Sequence, residues 1–150
     1  MSYHGKFVPK NKSKYRGKID NITYRSLWEL AVMKHLDNNP HVKWWNSECT
    51  VIPYFSEADQ KKRRYFMDFT LCYEDGSVHM WEVKPAAQCQ PPKPPQRMTA
   101  AAKNNYLNAL HTWQTNLCKW KAAKSLCDKK GFTFKIITEK TLRSHFGAKI

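Results

Sequence analysis

No stretch of this chain approaches the roughly twenty consecutive apolar residues that a membrane-spanning helix needs. The opening, MSYHGKFVPKNKSKYRGK, also lacks the apolar segment of a secretory signal, so the expectation is a soluble protein made in a cytosol. The five cysteines (Cys49, Cys72, Cys89, Cys118 and Cys127) include no C-x-x-C pair, and their odd number argues against a disulfide framework. The six histidines are scattered, without the clustering with cysteine that structural zinc demands. No internal repeat is visible. Acid is scarce as well: 12 Asp and Glu stand against 26 Lys and Arg, a formal charge of +14. A field of that sign attracts polyanions, which makes nucleic acid the leading partner; an acidic protein, a membrane surface or simple solubility are the alternatives.

What is present is core material. The chain is 41% hydrophobic and 13% aromatic with six Trp, more than a disordered tail carries. At 150 residues it suits one domain. Residues 1–22 read as a basic N-terminal arm, with Lys6, Lys10, Lys12, Lys14, Arg16 and Lys18 among Tyr3, Phe7 and Tyr15. Lys10, Lys12, Lys14 and Arg16 are candidates to lie on DNA phosphates, and a solvated flexible terminus is the plainer alternative.

From about Thr23 to Asn38 the periodicity is helical, with Thr23 or Ser26 able to cap the start, Tyr24, Leu27, Trp28, Ala31 and Val32 as the apolar stripe and Ser26-x-x-Glu29 matching a capping box. Glu29 has Val32, Met33 and Leu36 at three-, four- and seven-residue spacings, so it flanks the buried side. The spacing leaves open whether Glu29 only caps the helix or serves a site. Val42 to Phe55 holds one strand or two short ones, Arg63 to Leu71 another, and Val78 to Lys84 a third. The proline-rich PAAQCQPPKPPQR is an extended connector. Beyond it, Thr99 caps a long helix whose stripe runs through Ala102, Tyr106, Ala109, Trp113, Leu117, Trp120, Ala123 and Cys127 to Gly131, with a break expected near Thr115-Asn116. A last strand over Phe132 to Thr138 and a short helix over Glu139 to Phe146 close the chain.

The chemistry lies in the hairpin. If Asp75-Gly76 alone formed its loop, Asp68 would face Val83 on the side away from Glu82. If Glu74-Asp75-Gly76 is a three-residue loop with Gly76 in the left-handed position, Tyr73 opposes Ser77 and Asp68 opposes Glu82. Their Cβ atoms would then be about 5 Å apart, and Lys84 would project from the same face two residues on. Hard oxygen ligands so placed can share Mg²⁺, with Mn²⁺ as a substitute, and a neighbouring lysine can position water or stabilise phosphate charge. Pro85 has no N–H for a ladder, so Lys84 should stand at a strand end. An ordinary hairpin with surface charges is the competing reading.

The order of helix with Glu, hairpin with Asp then E-x-K, helix and strand resembles the PD-(D/E)XK nuclease superfamily, although Phe66-Met67-Asp68 replaces the Pro-Asp of its name. More narrowly, KFVPKNKSKYRG, ITYRSLWE, VIPYF, KKRRYFMDF, EVKP, QPPKPP and HTWQTNLCKWKAAKSL resemble the head-completion nucleases of large contractile-tailed bacteriophages. The resemblance implies an α/β, single-domain, restriction-endonuclease-like core over residues 23–150, a mixed central sheet flanked by helices. It implies an endonuclease, with exonuclease action as a variant, that cuts packaged double-stranded DNA before heads join tails. It further implies partners among phage head, portal or neck proteins, a place in the host cytoplasm during assembly or in the virion, and no small-molecule cofactor. Carried over by position, Asp68 and Glu82 match the metal-binding acids and Lys84 the catalytic lysine. Glu29 matches the acid of the first helix, a third metal ligand, and Arg63 and Arg64 are placed to hold phosphates. The rivals are a non-catalytic DNA-binding or head-plugging protein and a junction-resolvase or transposase-type nuclease of the same superfamily.

Overall fold

The computed structural model describes residues 4–146; Tyr3 of the basic segment and residues 147–150 lie outside it. In chain order, β1 (Gly5–Lys6) and β2 (Thr23–Tyr24) precede α1 (Leu27–Asn38). Five strands follow: β3 (Val42–Ser47), β4 (Val51–Ser56), β5 (Lys61–Phe66), β6 (Phe69–Tyr73) and β7 (Val78–Val83). Then come α2 (Ala100–Lys130), β8 (Thr133–Ile137) and α3 (Glu139–His145).

The central sheet has the order β3-β6-β7-β8, antiparallel except for the parallel pair β7 and β8. A parallel pair needs a crossover, and α2 provides it. Alternation along the strands builds two cores. Phe69, Leu71 and Trp81 face α1, where they meet Val32, Met33 and Leu36 around the fully buried Trp45. Met80 faces the other way and joins Ile52, Tyr54, Tyr65 and Met67 beneath Ala123 and Cys127 of α2.

The strand expected over Arg63 to Leu71 is two strands. Tyr65 and Met67 belong to the α2 side, whereas Phe69 and Leu71 belong to the α1 side, which one continuous strand of period two cannot achieve. The chain changes partners at Met67-Asp68: the Met67 N–H donates to the Thr50 carbonyl (3.0 Å), and the Asp68 carbonyl accepts from the Glu48 N–H (3.1 Å). The strand before the break, β5, pairs with β4 as a separate hairpin, and the strand after it, β6, pairs with β3 and β7.

Two helices depart from expectation. The first, α1, starts at the later of its two expected caps: Thr23 and Tyr24 pair with Lys6 and Gly5 as a short strand, and Ser26 caps the helix, accepting from the Glu29 N–H (3.1 Å). The second, α2, runs unbroken for 31 residues, capped by Thr99 and ended by Gly131 at φ 70°. Its expected core stripe is only half a core. Burial begins at Asn116, and Leu117 is exposed. The stripe residues Ala102, Tyr106, Ala109 and Trp113 face the proline connector at Pro92 and Pro95 instead.

The basic segment is not an arm standing off the domain. Phe7, Tyr15 and Ile22 are buried in the α1 core, and Tyr15 bridges to Trp45. Asp37, buried at the end of α1, accepts from the backbone N–H groups of Lys10 (2.8 Å) and Asn11 (3.1 Å). Three apolar anchors without a regular period carry no helix or strand signature, yet each buried side chain stabilises the docked segment by about 1.5–3 kcal/mol.

Candidate active site

The loop between β6 and β7 holds Glu74-Asp75-Gly76. The Tyr73 N–H donates to the Ser77 carbonyl and the Gly76 N–H to the Tyr73 carbonyl (both 2.9 Å), with Gly76 at φ 90°. This is the three-residue arrangement, and it sets the register Phe69↔Trp81, Thr70↔Met80 and Leu71↔His79. Asp68 stands one residue beyond the Phe69 pair, at the position that faces Glu82 in that register. Its backbone has already turned away, so its Oδ2 accepts from the Val83 N–H (2.8 Å), the donor a continued ladder would have left to a carbonyl.

Glu82 is buried under α2. Its Oε2 accepts from the Tyr65 hydroxyl and from Trp120 Nε1 (3.1 Å), and its Oε1 lies 3.8 Å from the Lys84 ammonium. Burial pushes the Asp68 carboxyl up to about 6, against the opposing pull of the Val83 N–H and the Lys84 charge. Burial raises the Glu82 carboxyl too, opposed by Lys84, the Trp120 N–H and Lys119. The pair is therefore short of compensating positive charge. Asp68 Oδ1 has no hydrogen-bond partner among the described residues, and Glu82 Oε1 meets only Lys84.

Glu29 sits at the start of α1. Its carboxylate accepts from the Arg25 N–H (3.4 Å) and the Ser26 hydroxyl (3.5 Å), so it does cap the helix. Burial and then the Asp68 charge raise its pKa, which places it within electrostatic reach of Asp68. It is not assembled with Asp68 and Glu82 into a three-ligand group: among the described residues no set of three or more His, Cys, Asp or Glu side chains could hold a metal ion.

The expected phosphate ligands divide. Lys14 donates to the carbonyls of Asp37 (3.0 Å) and Asn39 (2.6 Å), so it is a structural tie. Lys10 and Lys12 are exposed, and Arg16 lies over the Trp44 ring at 4.8 Å. Arg63 donates to Asp59 (2.7 Å), and Arg64 lies over the Phe66 ring at 5.4 Å on the exposed β4–β5 hairpin.

Besides Tyr65 and Trp120, which the sequence offered only as core residues, two charged side chains at the site were not foreseen. Glu48, at φ 55° in the turn after β3, pairs with Arg25, and its charge acts on both Asp68 and Glu29. An acid interrupting a β-rich run was the available signal. Lys119 of α2 lies 5.5 Å from the Tyr65 ring, and its charge acts on Asp68 and Glu82. A lysine midway along an amphipathic helix gives no local signal at all.

The comparisons bear on what this arrangement belongs to. The chain is 50% identical over 144 residues, 96% of its own length and 96% of the relative's, to the head completion nuclease of Enterobacteria phage T4. No solved structure matches at a significant level. The family described as TnsA-like endonuclease N terminal matches residues 39–139, a span that runs from the end of α1 through the Asp68, Glu82 and Lys84 hairpin to α2 and β8. The mixed sheet flanked by helices accords with the restriction-endonuclease-like fold of that family, and the chain belongs to it.

Proposed function

We propose that this protein is a metal-dependent endonuclease of double-stranded DNA that acts in phage head completion, before heads join tails. Nuclease action in head completion is supported by the family and by the relative's name. The observation that carries the chemistry is local: Asp68 and Glu82 are both buried at one end of the β6–β7 pairing, each keeps one oxygen without a hydrogen bond among the described residues, and Lys84 lies 3.8 Å from the free Glu82 oxygen.

Those oxygens fit a hard divalent cation. Both carboxyls are raised by burial, which marks a site where added positive charge is favourable, and Mg²⁺ is commonly held by one or two carboxylates with the rest water and phosphate. Mn²⁺ would serve as well. Bound there, such an ion would neutralise developing phosphate charge and acidify water. The chain's own groups do the remainder. The Tyr65 hydroxyl and Trp120 Nε1 fix one Glu82 oxygen and so aim the other. The Val83 N–H does the same for Asp68. Lys84 donates to a phosphate oxygen or to the attacking water, held at the strand end by its own N–H on the Ile137 carbonyl (2.9 Å). Glu29 and Glu48 position, through charge and through Arg25, rather than ligate. Lys10, Lys12, Arg16 and Arg64 offer cations to the DNA backbone, and in a head-completion role head, portal or neck proteins would be its neighbours in the host cytoplasm.

The test is incubation of purified protein with plasmid and linear DNA, with Mg²⁺, Mn²⁺ or chelator, for wild type and Asp68→Asn. Cleavage is expected only with a divalent ion and only in wild type. Metal-dependent cutting by Asp68→Asn, free of contaminating nuclease, would sink the assignment. DNA binding without cutting by wild type would leave a non-catalytic head protein as the better reading.

A further inference from the structure

One cleft is left unused by this chemistry. Between the proline connector and the first half of α2 lies a cavity of about 310 Å³, lined among others by Ala87, Gln88, Pro92, Ala109, Trp113 and Asn116. Asn116 is only 6% exposed, and its side-chain amide has no hydrogen-bond partner among the described residues. Its polar atoms are not sealed from solvent, so a ligand entering the cavity can bond to them in exchange for water. Among the described residues no charged side chain lines the cavity, so it does not suit a phosphate. Trp113, Pro92 and the two alanines supply apolar walls, and the amides of Gln88 and Asn116 each offer a donor and an acceptor. A flat, neutral heteroaromatic ring with a polar edge matches that combination.

The cavity is also next to the carboxylate pair. The Trp113 ring packs edge-on against Trp120 with centroids 6.2 Å apart, and Trp120 donates to Glu82. On the opposite wall, Ala87 and Gln88 belong to the 3₁₀ turn Ala86–Cys89, which starts immediately after Lys84-Pro85. One aromatic side chain therefore separates the cavity from the site that would hold the scissile phosphate.

We propose that this cavity receives a single nucleobase, turned out of the stack of the DNA being cut and held against Trp113 and the Asn116 amide. The inference rests on the nuclease reading above. Enzymes that extrude a base lose least when that base is already mismatched or unpaired. The cleft thus makes the enzyme prefer DNA with a weakened pair beside the cut.

The test uses photocrosslinking, which does not need cleavage. Wild-type protein in chelator is bound to a duplex carrying 5-iodouracil in place of thymine, paired or mismatched, irradiated, and the crosslinked residue identified by mass spectrometry. The expected crosslink is at Trp113, stronger with the mismatched base. It should persist in Trp113→Phe, vanish in Trp113→Ala, and fall about tenfold in Asn116→Leu, in line with the worth of base–aromatic stacking plus a lost hydrogen bond. Trp113 is only partly buried, so its variants keep the fold even if Asn116→Leu does not. Cleavage of the same duplexes with Mg²⁺ or Mn²⁺ is measured alongside. Wild-type cleavage with crosslinks elsewhere, unchanged in Trp113→Ala, would overturn the base pocket alone. A Trp113 crosslink without cleavage would uphold the pocket and overturn the nuclease reading.

Discussion

Replacing Asp68 by Asn should stabilise the metal-free protein at neutral and alkaline pH. Burial raises the Asp68 carboxyl from 3.8 to about 6, so the fold favours its protonated form. The stability this group contributes is complete below the unfolded value and is lost as pH rises through about 6. The shift is about two units, an upper figure of ~3 kcal/mol, which partial solvent access reduces to roughly 1–2 kcal/mol. Asn keeps an oxygen to accept the Val83 N–H while removing the buried charge. At pH 8 in chelator the variant should melt about 2–8 °C higher than wild type, and the difference should fade through pH 6 and be nearly gone at pH 4. Circular dichroism or calorimetric melts at fixed ionic strength measure this. Added Mg²⁺ should raise the wild-type melting temperature and leave that of the variant unmoved. Equal or lower stability of Asp68→Asn at pH 8, or a gain that ignores pH, would refute the claim that the site stores an uncompensated charge.

Glu82→Gln and Lys84→Ala should each slow cleavage about 100-fold or more, with DNA affinity retained. Titration calorimetry with Mn²⁺ separates them, because Lys84→Ala should still bind the ion and Glu82→Gln should not. Gly76→Val places a β-branched residue at φ 90°, and a cost of about 1–2 kcal/mol should appear as a lower melting temperature with no change in DNA affinity. Arg16→Ala should reduce the slope of log affinity against log salt by about 1, whereas Lys14→Ala should lower stability, because Lys14 is bonded to the end of α1. Removing residues 1–22 should unfold or strongly destabilise the protein, since Phe7, Tyr15 and Ile22 leave the core with them.

Much of the site was legible because it depends on short-range rules. A strand has a period of two and a hairpin has a loop of countable length, so Glu74-Asp75-Gly76 was enough to set the register Phe69↔Trp81, whose next step would pair Asp68 with Glu82, although the ladder itself ends at Phe69. The Ser26 and Thr99 caps, the Gly131 stop and the mixed α/β order were readable for the same reason, each being set within a few residues.

What local rules do not contain is where elements dock. Tyr65, Met67, Phe69 and Leu71 alternate as one strand would, and all four are buried, but the chain crosses between two cores at Met67-Asp68 because segment 48–50 offers its backbone there. The same docking brings Trp120 and Lys119 to the carboxylates from positions that carry no local mark, and Glu48 from one marked only as an acid in a β-rich run. It also decided that Lys14 is a tie and not a phosphate ligand, and that Trp113 faces the proline connector instead of the core. By itself the sequence determined the helix caps, the mixed α/β order and the hairpin register, since those are governed by periodicity, capping and loop length. Only the tertiary structure decided which buried face each side chain joined and which charges met, because burial and Coulombic interaction act between residues far apart in the chain and nothing in either neighbourhood records the encounter.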